Sequence, residues 1–266
     1  MKRLIPYLAV VTAMLIWAGA GIAVKEALIV FSPLTLIVLR FTLAVLLMLL
    51  VGLMFRRNDI LGLQLVAKRD IPLFLLGGLF QPFLYFIFEP YTYQSFASPT
   101  IAEAMLSTQP VLAPVFAFLL LRERVTRNNI LGIVLSTIGM LLLLLVGSDD
   151  FSLGSPWGIL LAIVTVSMSV SYSVILRRIP TRYSSLSIVF YVQSFSLMLF
   201  YIVWMLMGEA SAFMNNSTPL LHHSTQLLHS GIAVLYLAIF ASVTAFVMFC
   251  YTVRKIGVTR ANVFNN

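Results

Sequence analysis

The chain has 266 residues, of which 61% are hydrophobic and 10% charged, with a net charge of +8. That composition excludes a soluble domain of ordinary make-up, in which about a quarter of the residues carry charge. The excess of positive charge does not point to nucleic acid, because the basic residues alternate with long apolar stretches, a placement that membrane topology explains.

Eight such stretches follow one another, at residues 4–24, 34–55, 71–93, 100–121, 129–146, 156–176, 186–207 and 232–253. Each is long enough to cross ~30 Å of hydrocarbon as a helix. In lipid the backbone must satisfy its own polar groups, so the stretches are expected to be helices; the short alternating segments of a β-barrel are absent from the sequence. The first stretch follows Met1-Lys2-Arg3, as a signal peptide would, but is too long for one and reads as an uncleaved first helix. Cys250 is the single cysteine, so no intramolecular disulfide can form.

Fifteen of the seventeen Lys and Arg residues fall into every second gap. They are Lys2, Arg3, Arg56, Arg57, Lys68, Arg69, Arg122, Arg124, Arg127, Arg177, Arg178, Arg182, Arg254, Lys255 and Arg260. The other gaps hold Lys25 with Glu26, Asp149, Asp150 and Glu209. The positive-inside rule therefore places the N-terminus and the basic gaps in the cytoplasm of a multi-pass membrane protein. In the first long connection, 56–70, Ile60, Leu61, Leu63, Leu65 and Val66 stand among charges, which predicts a short helix lying on the membrane surface. In the second, 208–231, His222, His223 and His229 match no ligand spacing, and neither a metal nor another cofactor is expected.

The chain resembles itself at long range. Tyr91-Thr92 can be laid on Tyr251-Thr252 at an offset of 160 residues, and Thr12 on Thr165 at 153. A repeat of five spans, an odd number, inserts its second copy upside down, a construction common in secondary transporters. The expected units are a first five-helix repeat over 1–147 and an incomplete second repeat over 148–266. On this register the second copy stops early in its fourth helix. The fold class expected is thus all-α and integral to the membrane, with eight transmembrane helices and the start of a ninth. It corresponds to a ten-helix, 5+5 inverted-repeat fold truncated at the C-terminus.

Charged groups inside spans cost ~2.5–3.5 kcal/mol each on insertion scales and need a reason. Three are found, Arg40, Glu89 and Glu103, at expected depths of roughly 10, 8 and 6 Å from the outer ends of the second, third and fourth spans. A short hairpin joins the third and fourth spans, so the two carboxylates can meet. Like charges and desolvation both favour keeping a proton on one of them. The pair is therefore a candidate site of proton exchange, with Arg40 biasing it; the plain alternatives are a static salt bridge or snorkelling to the interface. Thr100, Glu103, Ser107, Pro110 and Pro114 would share one face of a continuous fourth helix, and Gln81, Tyr85, Glu89 and Tyr93 one face of the third. The hydroxyls of the sixth span, Thr165 and Ser169 among them, suit helix packing, whereas Tyr85, Glu103 and the two prolines suit a cavity.

These residues resemble the EamA-type drug/metabolite transporter superfamily. The resemblance runs through Trp17, Ser32-Pro33, Arg40-Phe41, Ser98-Pro99-Thr100-Ile101-Ala102-Glu103, Gln109-Pro110, Leu120-Leu121-Arg122-Glu123-Arg124 and Gly257-Val258-Thr259-Arg260-Ala261-Asn262. It implies a secondary carrier of the cell (inner) membrane whose central cavity would be lined here by Trp17, Tyr85, Glu89, Glu103, Ser107, Pro110 and Tyr172. It further implies that Glu123 pins the cytoplasmic end of a helix.

The function expected is a secondary transporter, an exporter of small metabolites, amino acids or drugs, working by alternating access with proton coupling. The competing readings are a non-transporting fragment or membrane interaction partner and, behind it, an intramembrane enzyme, for which neither Gly-x-Ser-x-Gly nor His-Glu-x-x-His is present. The partners expected are a small-molecule substrate, the lipid bilayer and protons, with a homodimer left open and no nucleic acid.

Overall fold

The computed structural model describes residues 4–55, 58, 62–96, 99–123, 130–135, 137–139, 156–210, 213 and 224–264. Among these, seven helices are long and apolar enough to cross a membrane: Ile5–Ala27, Pro33–Met54, Lys68–Gln94, Ile101–Leu121, Pro156–Arg178, Ser185–Leu206 and Gln226–Ile256. They coincide with the first four and the last three apolar stretches. Of the fifth stretch, residues 130–135 and 137–139 are described and helical; its other residues lie outside the described ones. No strand occurs among the described residues.

Several spans are subdivided. The helices are α1 (Ile5–Ala27), α2 (Pro33–Met54), α3 (Ile71–Gly78), α4 (Tyr85–Gln94), α5 (Pro99–Leu106) and α6 (Gln109–Leu121). They continue with α7 (Pro156–Arg178), α8 (Ser185–Leu206), α9 (Ser224–Tyr236), α10 (Ala245–Ile256) and α11 (Val258–Asn262). The third span passes from α3 to α4 through a π-helical segment, Leu79–Leu84, in which Gln81 leaves the helix at φ −148°, ψ 124°. Pro82 accounts for this: it has no N–H to give and disfavours helical backbone at the residue before it. The expected stripe of four therefore keeps only Tyr85, Glu89 and Tyr93. The fourth span is likewise not continuous, because a turn at Ser107-Thr108 separates α5 from α6. Pro110 cannot supply the amide hydrogen that a regular helix would use there.

The chain packs as two compact units, Met1–Phe74 with Thr181–Tyr251, and Leu75–Pro180 with Thr252–Asn266. In the first unit α1 lies along α9 and α2 along α8, and both α1 and α2 also meet a second π-helical segment, Leu237–Thr244. Ser32 and Ser184 begin α2 and α8 in the same way. Each is extended (ψ 156° in both), and its hydroxyl accepts the backbone N–H three residues on, at 3.3 Å from Thr35 and 3.1 Å from Ser187. Gly19 lets α9 approach α1, since a Cβ there would stand 2.8 Å from the Tyr236 hydroxyl. That hydroxyl donates to the Ile16 carbonyl (3.0 Å), and Ser230 Oγ donates to that of Glu26 (2.8 Å).

The surface helix expected over 56–70 is not formed where the segment is described. Residues 63–67 run without helix into a single 3₁₀ turn, Lys68–Asp70. Partners outside the segment satisfy its backbone. Gln64 N–H donates to Ser187 Oγ (3.0 Å), and Ala67 N–H to the Tyr183 hydroxyl (3.0 Å). Leu63 fills the notch left by Gly52, where a Cβ would come within 2.3 Å of its Cγ.

In the second unit α7 is central, with α4, α5, α6 and α11 packed on it. Gly158 admits the chain after α4, a Cβ there lying 3.0 Å from the Ser95 carbonyl oxygen. Thr165 and Thr92 hydroxyls share a hydrogen bond of 3.0 Å, and Ser169 Oγ donates to Gln109 Oε1 at 3.3 Å. These buried hydroxyls serve helix packing in a medium with no hydrophobic drive between helices. At the ends that carry the basic residues, Arg122 closes α6 in the left-handed region (φ 55°). Arg178 Nη2 donates to the Leu120 carbonyl (2.6 Å), and Arg177 Nε approaches Glu123 Oε1 (3.6 Å).

Candidate functional site

Four of the groups singled out by sequence meet inside the second unit. Tyr85, Glu89 and Tyr93 succeed one another at intervals of four along α4, so they stand on one side of that helix. Glu103 reaches the same place from α5. The Tyr93 hydroxyl donates to Glu103 Oε2, and Tyr85 is hydrogen-bonded to Glu89. Glu89 and Tyr93 are one turn apart on α4, which sets the two pairs side by side on that helix. Glu103 is exposed, while Tyr85, Glu89 and Tyr93 are half-buried. Two carboxylates, each with a phenol, form a site that can take up, hold or pass on a proton, because a carboxylate accepts from the phenol and a protonated acid can donate in turn.

Ser107 and Pro110 occupy the break beside this cluster. The Ser107 N–H donates to the Glu103 carbonyl (2.8 Å) and closes α5, and Pro110 is buried at the start of α6. Tyr172 is buried on α7, one turn from Ser169. The break thus sets the direction of the helix turn that carries Glu103.

Trp17 and Arg40 belong to the first unit, where both are tied to the π-helical segment of the eighth span. Trp17 Nε1 donates to the Ala241 carbonyl (3.0 Å), and its ring meets Phe246 edge-on at 5.2 Å and Phe249 at 5.5 Å. Arg40, 6% exposed, donates from Nε to Ser242 Oγ (3.1 Å) and lies over the Phe41 ring at 5.0 Å. Two partners in this arrangement were not singled out by the sequence reading, Ser242 and Gln193. The Gln193 amide donates to the Ser242 carbonyl at 2.6 Å. The available signal was a lone amide in the middle of an apolar span, which is as much in need of explanation there as a charge.

Glu123 takes the place expected of it at a helix end. Beside its contact with Arg177, its oxygens lie 3.1 and 3.2 Å from where a Gly257 Cβ would be, and Gly257 (φ 92°) is the residue that starts α11. Arg177 reaches the Arg254 carbonyl, and Arg254 Nη2 donates to that of Pro180 (2.9 Å). His222 and His223 lie outside the described residues.

The family model for EamA-like transporters matches residues 4–145 and 156–266. A Bacillus subtilis protein, called the uncharacterized transporter YetK, is 26% identical over 268 aligned positions, which take in 100% of this chain and 76% of that protein. An uncharacterized transporter of Archaeoglobus fulgidus is 23% identical over 172, covering 65% of this chain and 57% of its own length. One crystal structure superposes with a TM-score of 0.69 over 97% of this chain and 83% of that one, at 22% identity, a likeness of fold. With seven apolar membrane-length helices among its described residues, the chain belongs to the EamA-like transporter family, within the drug/metabolite transporter superfamily.

Proposed function

We propose that this protein is a secondary transporter that exports a small metabolite, amino acid or drug-like solute across the cell membrane, coupled to protons exchanged at Glu89 and Glu103. The observation that carries this reading is the joined pair of carboxylate–phenol contacts, Tyr85 with Glu89 and Tyr93 with Glu103. Acids inside membrane spans are costly to insert, and two brought together suit a group that changes its protonation during work. The N-terminus and the basic helix ends face the cytoplasm in this reading, as their charge distribution requires.

Alternating access would arise between two inverted copies, 1–147 and 148–266. Three likenesses support the repeat. The first and sixth spans are both of 23 residues and the second and seventh both of 22. Serine caps open α2 and α8. The π-helical segments Leu79–Leu84 and Leu237–Thr244 end 160 residues apart, the offset that also lays Tyr91-Thr92 on Tyr251-Thr252. Helix interruptions at matching places in two halves are a mark of transporters that bind solute at mid-membrane.

The test is proton flux in vesicles containing the purified protein, screened against amino acids and small cationic and anionic metabolites. A solute that moves protons with the wild type should move them at least tenfold more slowly with Glu103→Gln, and transport should lose its pH dependence. Retained pH dependence in both Glu103→Gln and Glu89→Gln would rule out these carboxylates as the coupling site.

A further inference from the structure

The eighth span passes through a π-helical segment, Leu237–Thr244, and side chains from three other helices of the same unit bond to it. In a π-helix the hydrogen bonds run over five residues, as from Ala245 N–H to the Phe240 carbonyl. The change of register leaves carbonyls that a regular helix would have satisfied, and in lipid these need other donors. Trp17 from α1 supplies the Ala241 carbonyl, and Gln193 from α8 supplies the Ser242 carbonyl. Arg40 from α2 takes the Ser242 hydroxyl. Leu237–Thr244 contains neither proline nor glycine to force the distortion, and its own Thr244 hydroxyl donates to the Ile239 carbonyl (2.9 Å). Together with this bond, the donors from the facing helices favour the π-helical form over a regular helix.

Gln193 has a second property. It is wholly buried, and while its amide nitrogen is spent on Ser242, its Oε1 accepts no hydrogen bond among the described residues. A buried acceptor left unmade is a cost carried by this arrangement.

We propose that Leu237–Thr244 is a hinge of the eighth span and that Gln193 is the positioning residue that keeps it π-helical. When Gln193 lets go of the Ser242 carbonyl, the segment can return to regular helix and turn α10 relative to α9. This goes beyond the proposed transport activity and does not rest on it, because the movement can be read without a substrate.

The chain carries its own reporter. Cys250, the single cysteine, is completely buried on α10, six residues beyond the hinge. Its rate of modification by N-ethylmaleimide, in protein reconstituted into lipid nanodiscs, reports how often α10 turns out of its packing. Gln193→Met preserves side-chain volume and removes the donor. It should raise the rate about tenfold, the effect of losing one buried hydrogen bond, with faster amide hydrogen exchange confined to 237–250. Trp17→Phe keeps the ring against Phe246 and Phe249 and removes the other carbonyl donor, so it should act in the same direction and serves where Gln193→Met does not accumulate. A merely space-filling Gln193 predicts the wild-type rate in Gln193→Met, and that result overturns the proposal. So does an increase that is matched by faster exchange through all the spans, which would mean general loosening and no hinge.

Discussion

Glu123 and Tyr183 show how much single residues decide at the basic ends of the spans. Glu123 sits between Arg177 and the backbone of Gly257, whose φ of 92° favours glycine; a Cβ there would also stand 3.1 Å from the carboxylate and oblige it to shift. Gly257→Ala should cost about 1–2 kcal/mol and lower the thermal midpoint in detergent by roughly 3–6 °C. A midpoint equal to wild type would show that the junction into α11 yields freely. Tyr183 uses one hydroxyl three times: it donates to Asp70 Oδ2 (2.7 Å) and accepts from Ala67 N–H (3.0 Å) and Arg182 Nη2 (3.0 Å). Tyr183→Phe keeps the edge-on contact with Phe74, 5.3 Å between centroids, and strands the Ala67 amide, while Asp70 keeps its ion pair with Arg182. The expected loss is about 1–3 kcal/mol, measured as a lower midpoint with faster exchange at residues 63–70. Sequence reasoning at this scale reached the charged residues and passed over Gln193 and Ser242, because the price of burying an amide is smaller than that of burying a charge and leaves a weaker trace in composition.

At the scale of the element, apolar length and basic punctuation were enough to place seven spans to within a few residues, since a bilayer tolerates no shorter solution. The interruptions were less legible. Pro82 and Pro110 announce two of them, whereas the π-helical segment Leu237–Thr244 meets donors from α1, α2 and α8 that adjacent sequence does not reveal. The same limit explains the segment at 63–67: its apolar residues read as an amphipathic helix, but Ser187 and Tyr183 satisfy the Gln64 and Ala67 amides from elsewhere in the sequence. Helix starts were written locally. Ser184→Ala removes the cap on the Ser187 N–H and should cost about 1 kcal/mol, seen as increased exchange in the first turn of α8 alone. Exchange unchanged there would mean that the strap at 63–67 holds the start of α8 without the cap.

At the scale of the molecule, family membership gives the class of activity, and the arrangement of charge gives a testable orientation. In a Cys250→Ser background, Glu26→Cys should react with a membrane-impermeant maleimide in intact cells. Thr181→Cys should react only after permeabilisation, both positions being exposed. The reverse pattern would invert the proposed topology and with it the direction of export.

The lacing between α1 and α9 bears on how such a chain is made. The bonds from Ser230 to Glu26 and from Tyr236 to Ile16 join positions 204 and 220 residues apart. The first helix must therefore wait in the bilayer through most of translation before its neighbour emerges from the ribosome. It is fitted for that wait: only 11% of its most apolar window is buried by protein, so lipid alone can house nearly all of it. Biogenesis can then proceed span by span, with the early helix serving as a docking rail for the late one.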